Sequence, residues 1–144
     1  MKKQVRQNVF ETNSSSSHSI SIEPSSDGLY DTIIPDEEGN VVLTGGEFGW
    51  EIEEHIDALT KANYCAVDQL DNDDRIEMLK EVIKEQTGCN DVVINFSDDW
   101  KKANYSYIDH ASSGTSDEAF HSKEDLRDFI FSKNSILYTD NDNH

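Results

Sequence analysis

The chain has 144 residues, with 30 Asp and Glu against 12 Lys and Arg, a formal net charge of -18 and 35% hydrophobic residues. That length suits one domain with a genuine core, and apolar residues that recur in periodic groups argue for a folded chain rather than a disordered one. Phosphate-backbone binding needs clustered Lys and Arg, so this charge balance speaks against direct nucleic acid binding, and no apolar segment is long enough to span a membrane.

The expected fold is a single α+β domain over residues 1–144, a small, mainly antiparallel sheet packed against about three helices. Lys2, Lys3 and Arg6 are followed by polar residues rather than an apolar signal-peptide core, so no leader is expected. Val5 to Phe10 has β character, Thr12 to Ser17 is a polar run, and His18 to Glu23 alternates Ile20 and Ile22 with serines as a half-buried strand does. Pro24 to Gly28 supplies turn chemistry. Leu29 to Ile34 and Val41 to Thr44 then flank Pro35 to Asn40, which predicts a hairpin.

Gly45 and Gly46 end the second arm of that hairpin. Phe48 to Trp50 leads into a helix whose stripe is Ile52, Ile56, Leu59, Ala62, Ala66 and Leu70, with Glu53, Glu54, Asp57 and Asp68 on the opposite face. A second helix runs from Asp73 to Gln86 with Ile76, Leu79, Val82 and Ile83 on one stripe, acidic residues at its positive dipole end and Gly88 as its stop. Val92 to Phe96 is a buried strand, with Tyr105 to Ile108 as its expected partner. Ser122 and Asp125 form a capping-box pattern ahead of a helix over Lys123 to Phe131, Ile136 to Tyr138 closes the sheet, and residues 139–144 form a solvated, mobile tail.

Cys65 and Cys89 lack the spacing of a disulfide framework and are read as free thiols of a cytoplasmic protein. The five histidines show no His-Glu-x-x-His or Cys-His ligand spacing, and the tail residues Asp140, Asp142 and His144 lack the further oxygen positions of a calcium loop, so no metal or other cofactor is expected. Gly45 to Gly49 has neither the lysine nor the spacing of a phosphate loop.

Two polar constellations stand out. Asn13, Ser17 and His18 lie in the string Glu11 to Ser19, and Asp109 and His110 precede Ser112 to Thr115. Together they compose an alternative pocket, for a small enzyme or ligand-binding protein. The commoner role for such residues is local hydrogen bonding in serine-rich turns and at strand ends, and no Gly-x-Ser-x-Gly elbow is present. No catalytic residue is assigned, and a non-enzyme is favoured.

The distribution of charge is more informative than its total. Between Arg6 and Lys61 there is no Lys or Arg, and the same stretch carries twelve carboxylates. The leading expectation is a carboxylate array that imitates nucleic acid phosphates and meets a basic surface on another protein, with Glu47, Glu51, Glu53, Glu54 and Asp57 as contacts. Solubility alone would use carboxylates without any partner, and an assembly protein or homo-oligomer is a further alternative.

Val9-Phe10-Glu11-Thr12-Asn13-Ser14-Ser15-Ser16-Ser17-His18-Ser19-Ile20 resembles the opening of a family of small, largely uncharacterised proteins of tailed bacteriophages and prophages. Gly46 to Trp50 and Thr139 to His144 are similar to segments of the same family. The resemblance implies a setting, the cytoplasm of an infected bacterial host, and by analogy an inhibitor or modulator of a host macromolecular machine. It implies no site residues.

Overall fold

The computed structural model describes residues 3–6, 18–25, 28, 30–48, 53–97, 101–102, 106–108 and 115–139. Its main sheet has four antiparallel strands in the order β1-β2-β8-β5: β1 (Lys3–Arg6), β2 (Ser19–Ile22), β8 (Ile136–Thr139) and β5 (Glu53–His55). The registers Ile20 to Leu137 and His55 to Leu137 align three residues across the sheet, and Ile20 and Leu137 are fully buried. All four residues of β2 are buried, so the strand read as half-buried is a central one. Thr139, expected to begin the tail, is instead the buried last residue of β8 opposite Glu53; residues 140–144 lie outside the described residues.

Two smaller sheets are parallel pairs: β3 (Asn40–Leu43) with β6 (Asp91–Ile94), and β4 (Glu47–Phe48) with β7 (Tyr107–Ile108). The expected hairpin is therefore corrected. Residues 31–36 run without strand pairing, and Asp31 N–H donates to the Phe131 carbonyl at 2.7 Å. Asp36 builds the turn by accepting from the amides of both Glu38 and Asn40 at 2.9 Å. This Asx turn delivers the chain into β3 rather than folding it back on the preceding segment. The expected pairing of Val92–Phe96 with Tyr105–Ile108 is also replaced, β6 pairing with β3 and β7 with β4, while Ser106 N–H donates to the Ser97 carbonyl at 2.9 Å.

Three α-helices connect and cover the strands: α1 (Ala58–Asp68), α2 (Asp73–Thr87) and α3 (Lys123–Phe131), with a 3-10 turn at Asp117–His121 before α3. Helix α2 forms as its periodicity dictates. Asn72 caps it by accepting from Arg75 N–H at 3.2 Å, Gly88 ends it at φ 71, and Ile76, Leu79, Val82 and Ile83 are buried. In α3 the Ser122 hydroxyl accepts from Asp125 N–H at 3.0 Å, while Leu126, Phe129, Ile130 and Phe131 enter the core.

Helix α1 begins well after the point its apolar spacing suggests. Asp57 is its N-cap, with Oδ2 accepting from Thr60 N–H at 2.9 Å and from the Thr60 hydroxyl at 2.7 Å. Residues 53–55 belong to β5 instead, and Ile56 and Leu59, placed on the buried stripe by helical spacing, are 47% and 45% exposed. From Lys61 to Ala66 every residue of α1 is buried, the mark of a helix enclosed by its neighbours. No helix among the described residues is long and apolar enough to cross a membrane.

Gly45 and Gly46 serve close approach rather than a strand-to-helix bend. Gly45 has φ 74, its N–H donates to Asn63 Oδ1 on α1 at 2.9 Å, and a Cβ there would collide with the Ser106 hydroxyl and come within 2.8 Å of the Phe96 ring. The adjoining Gly46 N–H donates to the same Ser106 hydroxyl at 2.9 Å. Only glycine fits that backbone conformation and that space together.

Candidate functional site

The expected contact residues do not share a helix face. Glu53 and Glu54 lie on β5, at the end of the four-stranded sheet, and both are exposed. Alternation along a strand puts Glu53 and His55 on one side and Glu54 on the other. Accordingly, His55 Nε2 lies 3.1 Å from Glu53 Oε2, while the His55 ring meets Phe48 edge-on at 6.4 Å. Glu47 sits in β4 opposite Tyr107, and Glu51 lies outside the described residues.

Asp57 is exposed but structurally committed. Partial burial raises its pKa, yet the hydrogen bonds from Thr60 and the nearby His55 outweigh that and hold it below the usual carboxylate value. A second carboxylate serves the same helix end: Asp31 Oδ2 accepts from Ala58 N–H at 2.9 Å. Both acids stabilise the positive end of the α1 dipole, so neither is a freely disposable surface charge. By contrast Glu37 and Glu38, at the tip of the Asp36 turn, are exposed with Glu53 and Glu54.

The alternative pocket is represented among the described residues by His18 alone; Asn13, Ser17, Asp109 and His110 lie outside them. His18 is fully buried, its ring edge-on to Tyr64 at 6.3 Å. Cys65 is buried and Cys89 partly so, and both are free thiols. Among the described residues no three His, Cys, Asp or Glu side chains are grouped to hold a metal ion.

Sequence reasoning passed over Lys61. It is fully buried within α1, its Nζ donating to the carbonyls of Ser132 at 2.8 Å and Ser135 at 2.9 Å and lying 5.6 Å from the centre of the Phe129 ring. Burial lowers its pKa to about 8, against the opposing attraction of Asp31. The ammonium thus ties α1 to the turn between α3 and β8. A signal was present: it stands alone as a cation in an alanine-rich helical stretch.

No family model matches the chain, and neither a curated protein nor a solved structure matches it.

The burial of Lys61 changes the electrostatics of the surface. Lys61 is the sole Lys or Arg from residue 7 to residue 74, a stretch with sixteen Asp and Glu, and its charge is sealed inside. That part of the chain, up to the start of α2, therefore presents no Lys or Arg side chain to solvent.

Proposed function

We propose that this chain is a non-enzymatic, phage-type accessory protein of the infected bacterial cytoplasm. It binds a basic surface on a host macromolecular machine, inhibiting or modulating it with carboxylates that stand where nucleic acid phosphates would. The observation that carries the reading is the burial of Lys61, which leaves residues 7–74 without an exposed cation. Solubility of a small domain needs a net charge of only about 2–8 in magnitude, well short of -18, whereas a long stretch of one sign steers a basic partner into encounter and suppresses association with acidic ones. The contacts are Glu53 and Glu54 on β5, with Glu37 and Glu38 at the turn; Asp57 adds its charge while holding the helix, and Glu47 and Glu51 are the remaining sequence candidates.

Affinity capture from a bacterial lysate at low and high salt tests the reading. A host partner should be retained at low salt, held much more weakly at high salt, and lost when Glu37, Glu38, Glu53 and Glu54 are together changed to Lys. Asp57 is left intact because reversing it would weaken α1. Capture that ignores both salt and charge reversal rejects the proposal.

A further inference from the structure

We infer that the outer edge of β5, with Ile56 and Leu59 beside it, is a docking site for an extended cationic segment of a partner protein in which Lys or Arg alternates with aliphatic residues. The inference rests on the acidic-surface reading and names the element that does the docking.

Three observations converge at the β5–α1 junction. β5 is the terminal strand of its sheet, and among the described residues no other strand pairs with it beyond β8. A sheet edge carries backbone N–H and C=O groups suited to a further strand. Ile56 and Leu59, two of the four exposed large hydrophobic residues among those described, directly follow this edge, at the residue before the cap and in the first turn of α1. Glu53 and Glu54 project from the two sides of the strand and are exposed.

Charge decides between occupants. A second copy of this chain would set Glu53 and Glu54 against like charges on a molecule of net charge -18, and like charges facing across strands are destabilising. A cationic strand reverses that term. Alternation puts its Lys or Arg side chains on one face, where they meet the glutamate on that side while their methylene stems cover apolar surface, and puts its aliphatic side chains on the other face, toward Ile56 and Leu59. The carboxylates thus guard the edge against self-pairing and select a basic segment.

The test uses the full chain and two fluorescent synthetic decapeptides of equal charge, one alternating Lys with Val and the other Lys with Ser, titrated by anisotropy at low salt. The Lys/Val peptide should bind at least tenfold more tightly. That advantage should vanish in the Ile56→Ser/Leu59→Ser variant, whose exposed substitutions leave the fold intact by circular dichroism, and also when the peptide backbone is N-methylated. Equal affinity for the two peptides, with both released by salt, overturns the docking site while leaving the acidic-surface reading standing. Binding of neither peptide overturns both. A concentration-dependent dimer in light scattering that the Ile56→Ser/Leu59→Ser variant abolishes would show that the edge accepts a second copy and would likewise reject the inference.

Discussion

Replacing Lys61 by Met tests how the core holds a charge. The ordinary lysine pKa of 10.5 falls to about 8 in the folded chain, and at about 1.4 kcal/mol per pH unit the gap corresponds to roughly 3 kcal/mol by which protonated Lys61 disfavours the folded state at neutral pH. Between the two values the unfolded chain holds a proton that the native chain has released, so stability rises with pH. Cys65 works in the opposite sense: burial, with Asp68 nearby, raises its thiol above the ordinary 9.0, so the unfolded chain sheds a proton the native chain keeps, and stability falls past that pH. Tyr64, raised by burial above 10.0, does the same later.

From pH 7 to pH 9 the lysine contributes a gain on the order of 1 kcal/mol and the cysteine a smaller loss, so stability rises on balance before both alkaline losses take over. Urea unfolding at pH 7, 8 and 9 reads this directly from the midpoints. Lys61→Met should abolish the rise, although it leaves the Ser135 carbonyl without its ammonium donor and so need not be more stable at any single pH. Asp31→Asn, which can still accept from Ala58 N–H, removes the carboxylate that supports the ammonium and should move the rise to lower pH. A wild-type chain whose stability is flat or falling over this range, or a Lys61→Met variant that keeps the rise, would refute the reasoning.

Further outcomes follow from single contacts. Gly45→Ala should cost at least about 1–3 kcal/mol in urea unfolding, from the left-handed backbone alone, with the collision at Ser106 added. Asp57→Ala should cost about 1 kcal/mol by loss of the α1 cap, while Glu54→Gln, an exposed change, should stay within about 0.5 kcal/mol of wild type. With a thiol reagent at neutral pH, Cys89 should react in the native protein and Cys65 only after denaturant is added, because the first is partly exposed and the second fully buried; equal native rates would contradict the described packing.

Helices α2 and α3 were legible because period, cap and stop agree within one local window: Asn72 and Gly88 bracket one, and Ser122 opens the other. The start of α1 was not, since Ile52, Ile56 and Leu59 fit a helical period while Glu53–His55 gains strand bonds to β8, a partner over eighty residues away. Reading Asp57 with Thr60 as a cap pair would have placed the start correctly. The β3–β6 and β4–β7 pairs are parallel and joined by long crossovers, so neighbouring segments suggested hairpins that the chain does not make. Of the candidate surface, the absence of cations was plain in the sequence, but its extent depended on Lys61 being inside, which only packing reveals.

The cations that follow residue 74 do little to neutralise that surface, because several are already engaged locally. Arg75 pairs with Asp117, Lys84 lies 3.6 Å from Asp91, Lys123 bridges Glu81 at 2.9 Å and Glu85 at 3.1 Å, and Arg127 pairs with Asp128 at 3.0 Å. Exposed pairs of this kind contribute little stability each, on the order of 0–1 kcal/mol, so their consequence is spatial rather than energetic. They fix positive charge among α2, β6, the 3-10 turn and α3, and oppose it there with carboxylates of the same region. With Lys61 sealed in the core and these four side chains paired with nearby carboxylates, the exposed glutamates of the β5 edge and the Asp36 turn are left to other cations of the chain, to solution or to a partner. Small ions are exchanged as ionic strength changes, whereas a basic segment held also by Ile56 and Leu59 would keep an apolar component of affinity under high salt, so the residual binding at high salt measures the apolar share.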